Sequence, residues 1–400
     1  MATKMQIQAS KGPNKQSVVF GDLKPWKNTW LVHVKVLHDW KQYIQSEETM
    51  EFVLADETVS VFPSTFVTAT SKIHTDYSTF SFLPKKKNNT MVKYGEDYVL
   101  NSRGMKLFTC SWRPEEQQEP KAMIFLCHGY GMESSITMNS TAIRLVNAGF
   151  VVYGIDYEGH GKSGGLNGYI QNFDHLVDDN SINYFICFGN GECEDKEENK
   201  GKMRFLMGES MGGAVVLLLA RKKPEFWDGA VLVAPMCKLA EEIKPHPMVI
   251  KFLTKLTRVI PTWKIVPSND IIDVAFKESH IRKQVRENEY CYKGRPRLKT
   301  AHQLLTTSLD LEKNLHQVAM PFIVLHGEDD KVTDKDVSKL LYEVSSSSDK
   351  TFKLYPNMWH GLLYGESPQN LEIVFGDIIG WLNERASVTN QRIETELKHA

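Results

Sequence analysis

Apolar and polar residues follow one rule before about residue 84 and another after it. In the first part, Trp30–Trp40 (WLVHVKVLHDW) alternates apolar with polar positions, and TMEFVLADE follows after a polar turn. A period of two is the mark of half-buried strands, so this pair predicts two strands of an antiparallel sheet. VSVFPSTFVTA adds a further β-rich stretch, while residues 1–19 are polar. Pro84-Lys85-Lys86-Lys87-Asn88-Asn89 is basic and lacks any hydrophobic period, which reads as a linker. The organisation expected is a β-rich segment over 1–84, a linker over 85–90, a main domain over 91–386 and a C-terminal tail over 387–400.

Beyond the linker, short unbroken apolar runs alternate with amphipathic stretches. Runs of AMIFLCHG, FVVYGID, MRFLMG, GAVLVAP and PFIVLHG read as strands buried on both faces, with helices near 140–148, 172–188, 211–222, 334–345 and 368–386. The class implied is α/β, with a mostly parallel central sheet. Residues 238–300 interrupt the alternation with a long, basic, proline-punctuated segment between two core strands, where a helical lid insertion is expected. Glu192–Lys200 reads as a solvated charged loop.

Length and charge narrow this further. A chain of 400 residues exceeds one ordinary domain, which fits a large domain with an appendage. A net charge of -1 gives no whole-chain attraction for nucleic acid. Six cysteines contain no C-x-x-C pair, which argues against a disulfide framework or zinc site and for a reducing compartment. The N-terminal residues lack the apolar core of a secretory signal, and the longest apolar stretches, near 214–220 and 229–236, are too short to span a bilayer. A cytoplasmic protein, peripheral at most to membranes, is expected.

The chemistry concentrates around Gly208-Glu209-Ser210-Met211-Gly212, which follows the strand MRFLM and precedes the helix GAVVLLLARKK. G-x-S-x-G alone is weak, but in a strand–turn–helix setting it marks a sharp elbow that lifts a serine hydroxyl above the sheet. The helix N-terminus beyond it favours negative charge. A serine needs a base to remove its proton and a carboxylate to orient that base. His360, in MWHG after the strand-like TFKLYP, stands where the base belongs, and Asp329, Asp330, Asp334 and Asp336 all follow PFIVLHG. Asp330 is favoured because it sits within the loop, with Asp329 as a solvent-facing neighbour and Asp334 as a helix-start residue. His128-Gly129-Tyr130-Gly131 ends the first strand of the series, and it resembles an oxyanion loop. The amides of Tyr130 and Met211 would hold the oxyanion, with His128 fixing the loop. Gly159-His160-Gly161-Lys162-Ser163-Gly164 also satisfies G-x-G-x-x-G, but it continues as Gly165-Leu166-Asn167-Gly168-Tyr169 rather than opening a helix, and Asp156 stands where a phosphate loop needs glycine.

From Met91 to about Arg385 the chain resembles plant monoacylglycerol lipases, a group that also holds caffeoylshikimate esterases and lysophospholipases. The residues carrying the likeness are YVLNSRGMKLF, HGYG, DYEGHGKS, GESMGG, VLVAPMCK, HGEDDKVTD and MWHGLL. That resemblance implies the α/β-hydrolase fold, a Ser210–Asp330–His360 triad, backbone donors at Tyr130 and Met211, an ester or lipid substrate, and no metal or organic cofactor. Met91 matches where such proteins usually begin. In front of it, DLKPWKNTWLVHVKVLHDW with TMEFVLADE is similar to the opening strands of the oligonucleotide-binding fold in plant replication protein A large subunits. Only about half of that five-stranded barrel is recognisable, and an incomplete barrel exposes strand edges, so nucleic-acid binding is the weaker reading. Trp30 and Trp40 fit residual core better than a base-stacking platform.

Within the insertion, Met248, Val249, Phe252, Leu253, Leu256, Val259 and Ile260 recur at helical spacing, with Lys251, Lys255 and Arg258 on the other side. Such a helix suits a cap over the site, Met248, Phe252, Leu253 and Leu256 meeting the substrate, or a surface that rests on a membrane.

Overall fold

The computed structural model describes residues 92–115, 119–186, 202–237, 247–266 and 270–399, and between 6 and 55 the backbone of five strands. It divides the chain into two units, Met1–Pro84 and Lys85–Ala400. In the first, β1 (Gln6–Lys11), β2 (Asn14–Val19) and β3 (Leu31–Val32) form one antiparallel sheet, and β4 (Lys35–Ile44) pairs with β5 (Glu47–Ala55) in another. The expected antiparallel pairing is that of β4 with β5, while Leu31–Val32 of the same run pairs with β1 in the other sheet. These described strands do not join into one barrel, so the likeness to an oligonucleotide-binding fold is not supported. VSVFPSTFVTA, Trp30, the Trp40 side chain, the linker and the charged run 192–200 lie outside the described residues.

The second unit is built on eight strands. They are β6 (Val92–Leu100), β7 (Lys106–Pro114), β8 (Met123–Cys127), β9 (Val151–Ile155), β10 (Arg204–Glu209), β11 (Gly229–Val233), β12 (Phe322–Gly327) and β13 (Lys350–Tyr355). Their order is β13-β12-β11-β10-β8-β9-β7-β6, parallel from β13 to β9 and antiparallel at β7 and β6. This is the α/β-hydrolase arrangement that the motifs implied. Its central strands are apolar throughout because both faces are covered. Met123, Phe125 and Cys127 of β8 enter one core, and Ile124 and Leu126 enter the other. The same division holds on β11 for Ala230 and Leu232 against Val231 and Val233. Burying each large apolar side chain contributes roughly 1.5–3 kcal/mol, so strand identity and sheet position are set by the same residues.

The first core is closed by α2 (Phe173–Ile186), α3 (Met211–Lys222) and α8 (Lys335–Val344), the second by α1 (Asn139–Asn147) and α9 (Pro368–His399). α3 is buried from Met211 to Ala220, which explains why its sequence is apolar all round rather than striped. α9 runs on through residues expected to be a tail. QRIETELKH holds no glycine or proline, and Glu394 stands four residues before Lys398, a spacing that supports helix.

Between β11 and β12 the chain forms α4 (Pro247–Leu256), α5 (Ile271–Ala275), α6 (Ser279–Glu287) and α7 (Leu298–Asn314). Residues 238–246 and 267–269 lie outside the described part. α7 begins before the expected end of the insertion at 300 and adds Leu311 to the first core.

Candidate active site

Strand order reverses between β8 and β10, since β9 lies on the far side of β8 while β11, β12 and β13 follow on the far side of β10. At such a point the loops leaving neighbouring strands part in opposite directions and leave a crevice at the carboxyl ends. The loops after β8, β10, β12 and β13 carry HGYG, Ser210, Asp330 and His360 in turn.

Ser210 joins β10 to α3 with φ 54 and ψ -119, a left-handed backbone seldom taken by a residue with a side chain. Holding it costs about 1–3 kcal/mol, which the surrounding packing must supply. Ser210 N donates to Val233 O at 3.0 Å, and Met236 N donates to Ser210 O at 2.9 Å, so the end of β11 and the chain just after it clamp the turn. The glycines are required by space. A Cβ on Gly208 would lie 2.4 Å from Gly212 O, and one on Gly212 would lie 1.9 Å from Cys127 O. Any larger residue would push strand and helix apart.

Asp330 and His360 are in direct contact. His360 Nδ1 donates to Asp330 Oδ2 at 2.7 Å, and both side chains are withdrawn from solvent. Burial disfavours the charged form of each. The attraction between them and their shared hydrogen bond outweigh it, holding Asp330 well below the usual carboxylate range and His360 above the usual imidazole value. With Nδ1 carrying the proton toward Asp330, Nε2 of the neutral ring is left as the lone-pair nitrogen. Asp329 is exposed, and Asp334 caps α8 by accepting from Asp336 N at 2.9 Å, so the structure gives the neighbouring aspartates other tasks.

Glu209, the residue before Ser210, was not singled out by the sequence. It is buried, takes a hydrogen bond from Tyr364 Oη on Oε2 at 2.9 Å and leaves Oε1 without a partner. Burial raises its carboxyl to about 7, against the pull of His360 and Tyr364, and its charge in turn helps to raise His360. Glu209→Gln is therefore expected to lower the pH at which His360 takes up its proton, followed by NMR titration. The same change should stabilise the protein in alkali. A carboxyl raised in the fold costs nothing below its ordinary value of 4.5 and progressively more as pH climbs through 7. The gain above neutral pH is on the order of 3 kcal/mol, measured as a melting difference that vanishes in acid. An unmoved His360 titration would remove Glu209 from this account.

The loop after β8 passes directly over the elbow, since a Cβ on Gly129 would lie 3.5 Å from Ser210 Cβ. His128 fixes it as expected. Its Nδ1 donates to Gly129 O at 2.8 Å, its Nε2 accepts from Tyr157 N at 3.3 Å, and burial lowers it to about 3, keeping it neutral. Tyr130 Oη donates to Gly168 O at 2.9 Å. The competing glycine motif folds onto itself: Gly159 N donates to Gly164 O, Lys162 N donates to Asp156 Oδ2, and no helix begins before Phe173.

A family model described as "Serine aminopeptidase, S33" matches residues 118–368, the span from just before β8 to the start of α9. The chain belongs to this hydrolase family. It is 34% identical over 295 residues to a caffeoylshikimate esterase of Arabidopsis thaliana, covering 74% of this chain and 86% of that protein. It is 29% identical over 292 residues to human monoglyceride lipase, covering 72% and 91%. The fold also matches a solved monoglyceride lipase of Saccharomyces cerevisiae in complex with a substrate analog, with a TM-score of 0.61, 21% identity and coverage of 72% and 94%.

In this S33 hydrolase the insertion grips both loops of the site, chiefly through main-chain bonds. Tyr292 N donates to Gly131 O at 2.8 Å, and the buried Glu133 accepts from Asn288 Nδ2 at 3.1 Å. On the histidine side Gly361 N donates to Ala275 O at 2.9 Å, while Lys277 N and Glu278 N both reach Gly365 O at 3.1 Å. The expected amphipathic helix is α4, but its apolar residues do not share one face. Met248 and Phe252 are exposed beside Lys251 and Lys255, whereas Leu253 and Leu256 are half-buried and Thr254 Oγ1 lies 2.9 Å from His302 Nε2 of α7. Other contributors escaped the sequence reading, namely His326 and Thr333 beside Asp330, and Glu366, which accepts from Trp359 N at 2.7 Å. Buried polar residues of this kind break an apolar pattern, which is the signal that could have marked them.

Proposed function

We propose that this chain is a carboxylic ester hydrolase working through Ser210, His360 and Asp330, with monoacylglycerols as its main substrates. The observation carrying this reading is the buried Asp330–His360 pair, presented at the same end of the sheet as a serine held on a strained elbow. Ser210 attacks the ester carbonyl while His360 Nε2 takes its proton, and the amides of Tyr130 and Met211 hold the oxyanion. The alcohol leaves with that proton. Water, deprotonated by His360, then attacks the acyl carbon, and the acid leaves as His360 returns that proton to Ser210 Oγ. Asp330 keeps the proton of the resting imidazole on Nδ1. The reaction calls for neither metal nor organic cofactor. Residues 91–386 make up the catalytic domain, in a cytoplasmic protein that touches membranes peripherally. Among the described residues no helix is long and apolar enough to cross one.

Residues 238–300 act in this reading as a lid. Met248 and Phe252 are exposed beside Lys251, Lys255 and Arg258, a mixed surface suited to anionic lipid, while the half-buried Leu253 and Leu256 are assigned here to the incoming acyl chain. A second reading, a phenolic ester such as caffeoylshikimate, is favoured by the 34% identity to the esterase of that name. Both are tested by one panel of monoacylglycerols, lysophospholipids, caffeoylshikimate and a short soluble ester. Long-chain monoacylglycerol is expected to turn over fastest. A Met248→Ser, Phe252→Ser variant should lose vesicle binding and most of that activity, yet cleave the short ester almost normally. Preference for caffeoylshikimate would replace the substrate assignment, and equal loss on every ester would reduce α4 to packing.

A further inference from the structure

The Asp330 carboxylate carries more bonds than a catalytic histidine needs. Oδ1 accepts from Val332 N at 2.7 Å and Thr333 N at 3.1 Å. Oδ2 receives His360 Nδ1 at 2.7 Å, Thr333 Oγ1 at 2.9 Å and a second histidine, His326 Nε2, at 3.0 Å. His326 is the penultimate residue of β12 and is completely buried, an unusual place for an imidazole on an otherwise apolar strand. Its other nitrogen, Nδ1, lies 2.7 Å from Ser338 Oγ, itself buried on α8.

The contact with Asp330 assigns one proton. To face a carboxylate, Nε2 must carry hydrogen. In the tautomer with its proton on Nε2 the lone pair lies on Nδ1, where the Ser338 hydroxyl donates to it. Thr333 O also lies near Nε2, but at 3.3 Å it is the longer acceptor. A directed chain results, from the Ser338 hydroxyl to His326 and from His326 to Asp330, the acceptor that also holds His360.

We propose that His326 is a positioning residue for Asp330: locked by Ser338 with its proton on Nε2, it holds the carboxylate at a fixed angle and shares Oδ2 with His360. The inference rests on the proposed roles of Ser210, Asp330 and His360. A carboxylate with an additional donor is a weaker base, so His326 also limits how strongly Asp330 retains protonated His360. Groups that face the pair from the packed elements are His326 from β12, Ser338 from α8, Thr333 from the intervening loop and Glu209 from the end of β10. Without the His326 donor, imidazolium is held more tightly and the carboxylate is freer to turn. Turnover falls, and the acid limb of the pH profile moves to higher pH.

The test uses the full chain, with kcat and KM for a short soluble ester measured across pH for His326→Leu, His326→Gln and Ser338→Ala. His326→Leu should lose roughly ten- to a hundredfold in kcat, with KM within about twofold and a raised acid midpoint, because the group acts through another rather than on substrate. Gln keeps an N–H for Asp330 and should recover much of the loss. Ser338→Ala should move both readouts in the same direction by less. A folded His326→Leu protein with wild-type kcat and midpoint overturns the proposal, as does a Gln variant no better than Leu. Should His326→Leu not fold, an unaltered profile in Ser338→Ala overturns it equally. Ser210→Ala and Asp330→Asn run beside these variants. If those two retain activity, the catalytic assignment itself has failed, whereas failure confined to the His326 and Ser338 variants condemns only the positioning role.

Discussion

Ser210→Ala is expected to leave the fold intact and to remove roughly 10⁴- to 10⁶-fold of the ester turnover, as the loss of a covalent nucleophile does elsewhere. Alanine inherits the positive φ of Ser210 at no greater steric cost than serine pays, and the clamps from Val233 O and Met236 N are main-chain bonds that survive. The melting temperature should therefore stay close to that of the parent. An active-site fluorophosphonate should label the parent protein and not the variant. Labelling that persists would place the reactive hydroxyl elsewhere and sink the mechanism.

The second large effect is expected at the acid. Asp330→Asn should lower kcat by about 10⁴-fold, whereas Asp329→Asn should be nearly silent. An asparagine at 330 would keep its carbonyl toward the amides of Val332 and Thr333 and turn its NH₂ toward His360. His360 could then no longer donate from Nδ1. Its proton would move to Nε2, where the serine needs a base. Asp329 has no such consequence, since its side chain is exposed and its own amide is bonded to Met358 O at 3.0 Å. The reverse ranking of the two variants would mean that the wrong aspartate has been given the role.

What could be read in advance follows from how strongly each residue is constrained. The five central strands and α3 were legible because burial on both sides leaves only apolar choices, and the elbow was legible because its glycines admit no side chain. β6 and β7 were not read as strands. In β6 only Val92 and Val99 are half-buried and the other residues are exposed, so its pattern is that of an edge. α7 was missed because it buries Thr300, Thr307 and Ser308 among its leucines. Thr300 has partners that only the folded chain supplies: its Oγ1 accepts from Ile170 N at 2.9 Å and donates to Gly168 O at 3.1 Å. The same reason hid His326 and Glu209. A buried polar residue looks out of place until its partner, often far along the chain, is known.

The bonds from the insertion to the two site loops bear on how this protein could diverge. A segment joined to its body only by side chains can be replaced wholesale, since new side chains can repack. Tyr292 N on Gly131 O and Gly361 N on Ala275 O are instead main-chain bonds, and each aligns a loop that carries Tyr130 or His360. Grafting a relative's insertion in place of 270–297 would thus have to reproduce those two contacts to within hydrogen-bonding distance before any change of substrate could be seen. Acquiring a new preference is accordingly easier by point replacement on α4, whose outward residues carry none of these main-chain ties, than by exchange of the segment as a module.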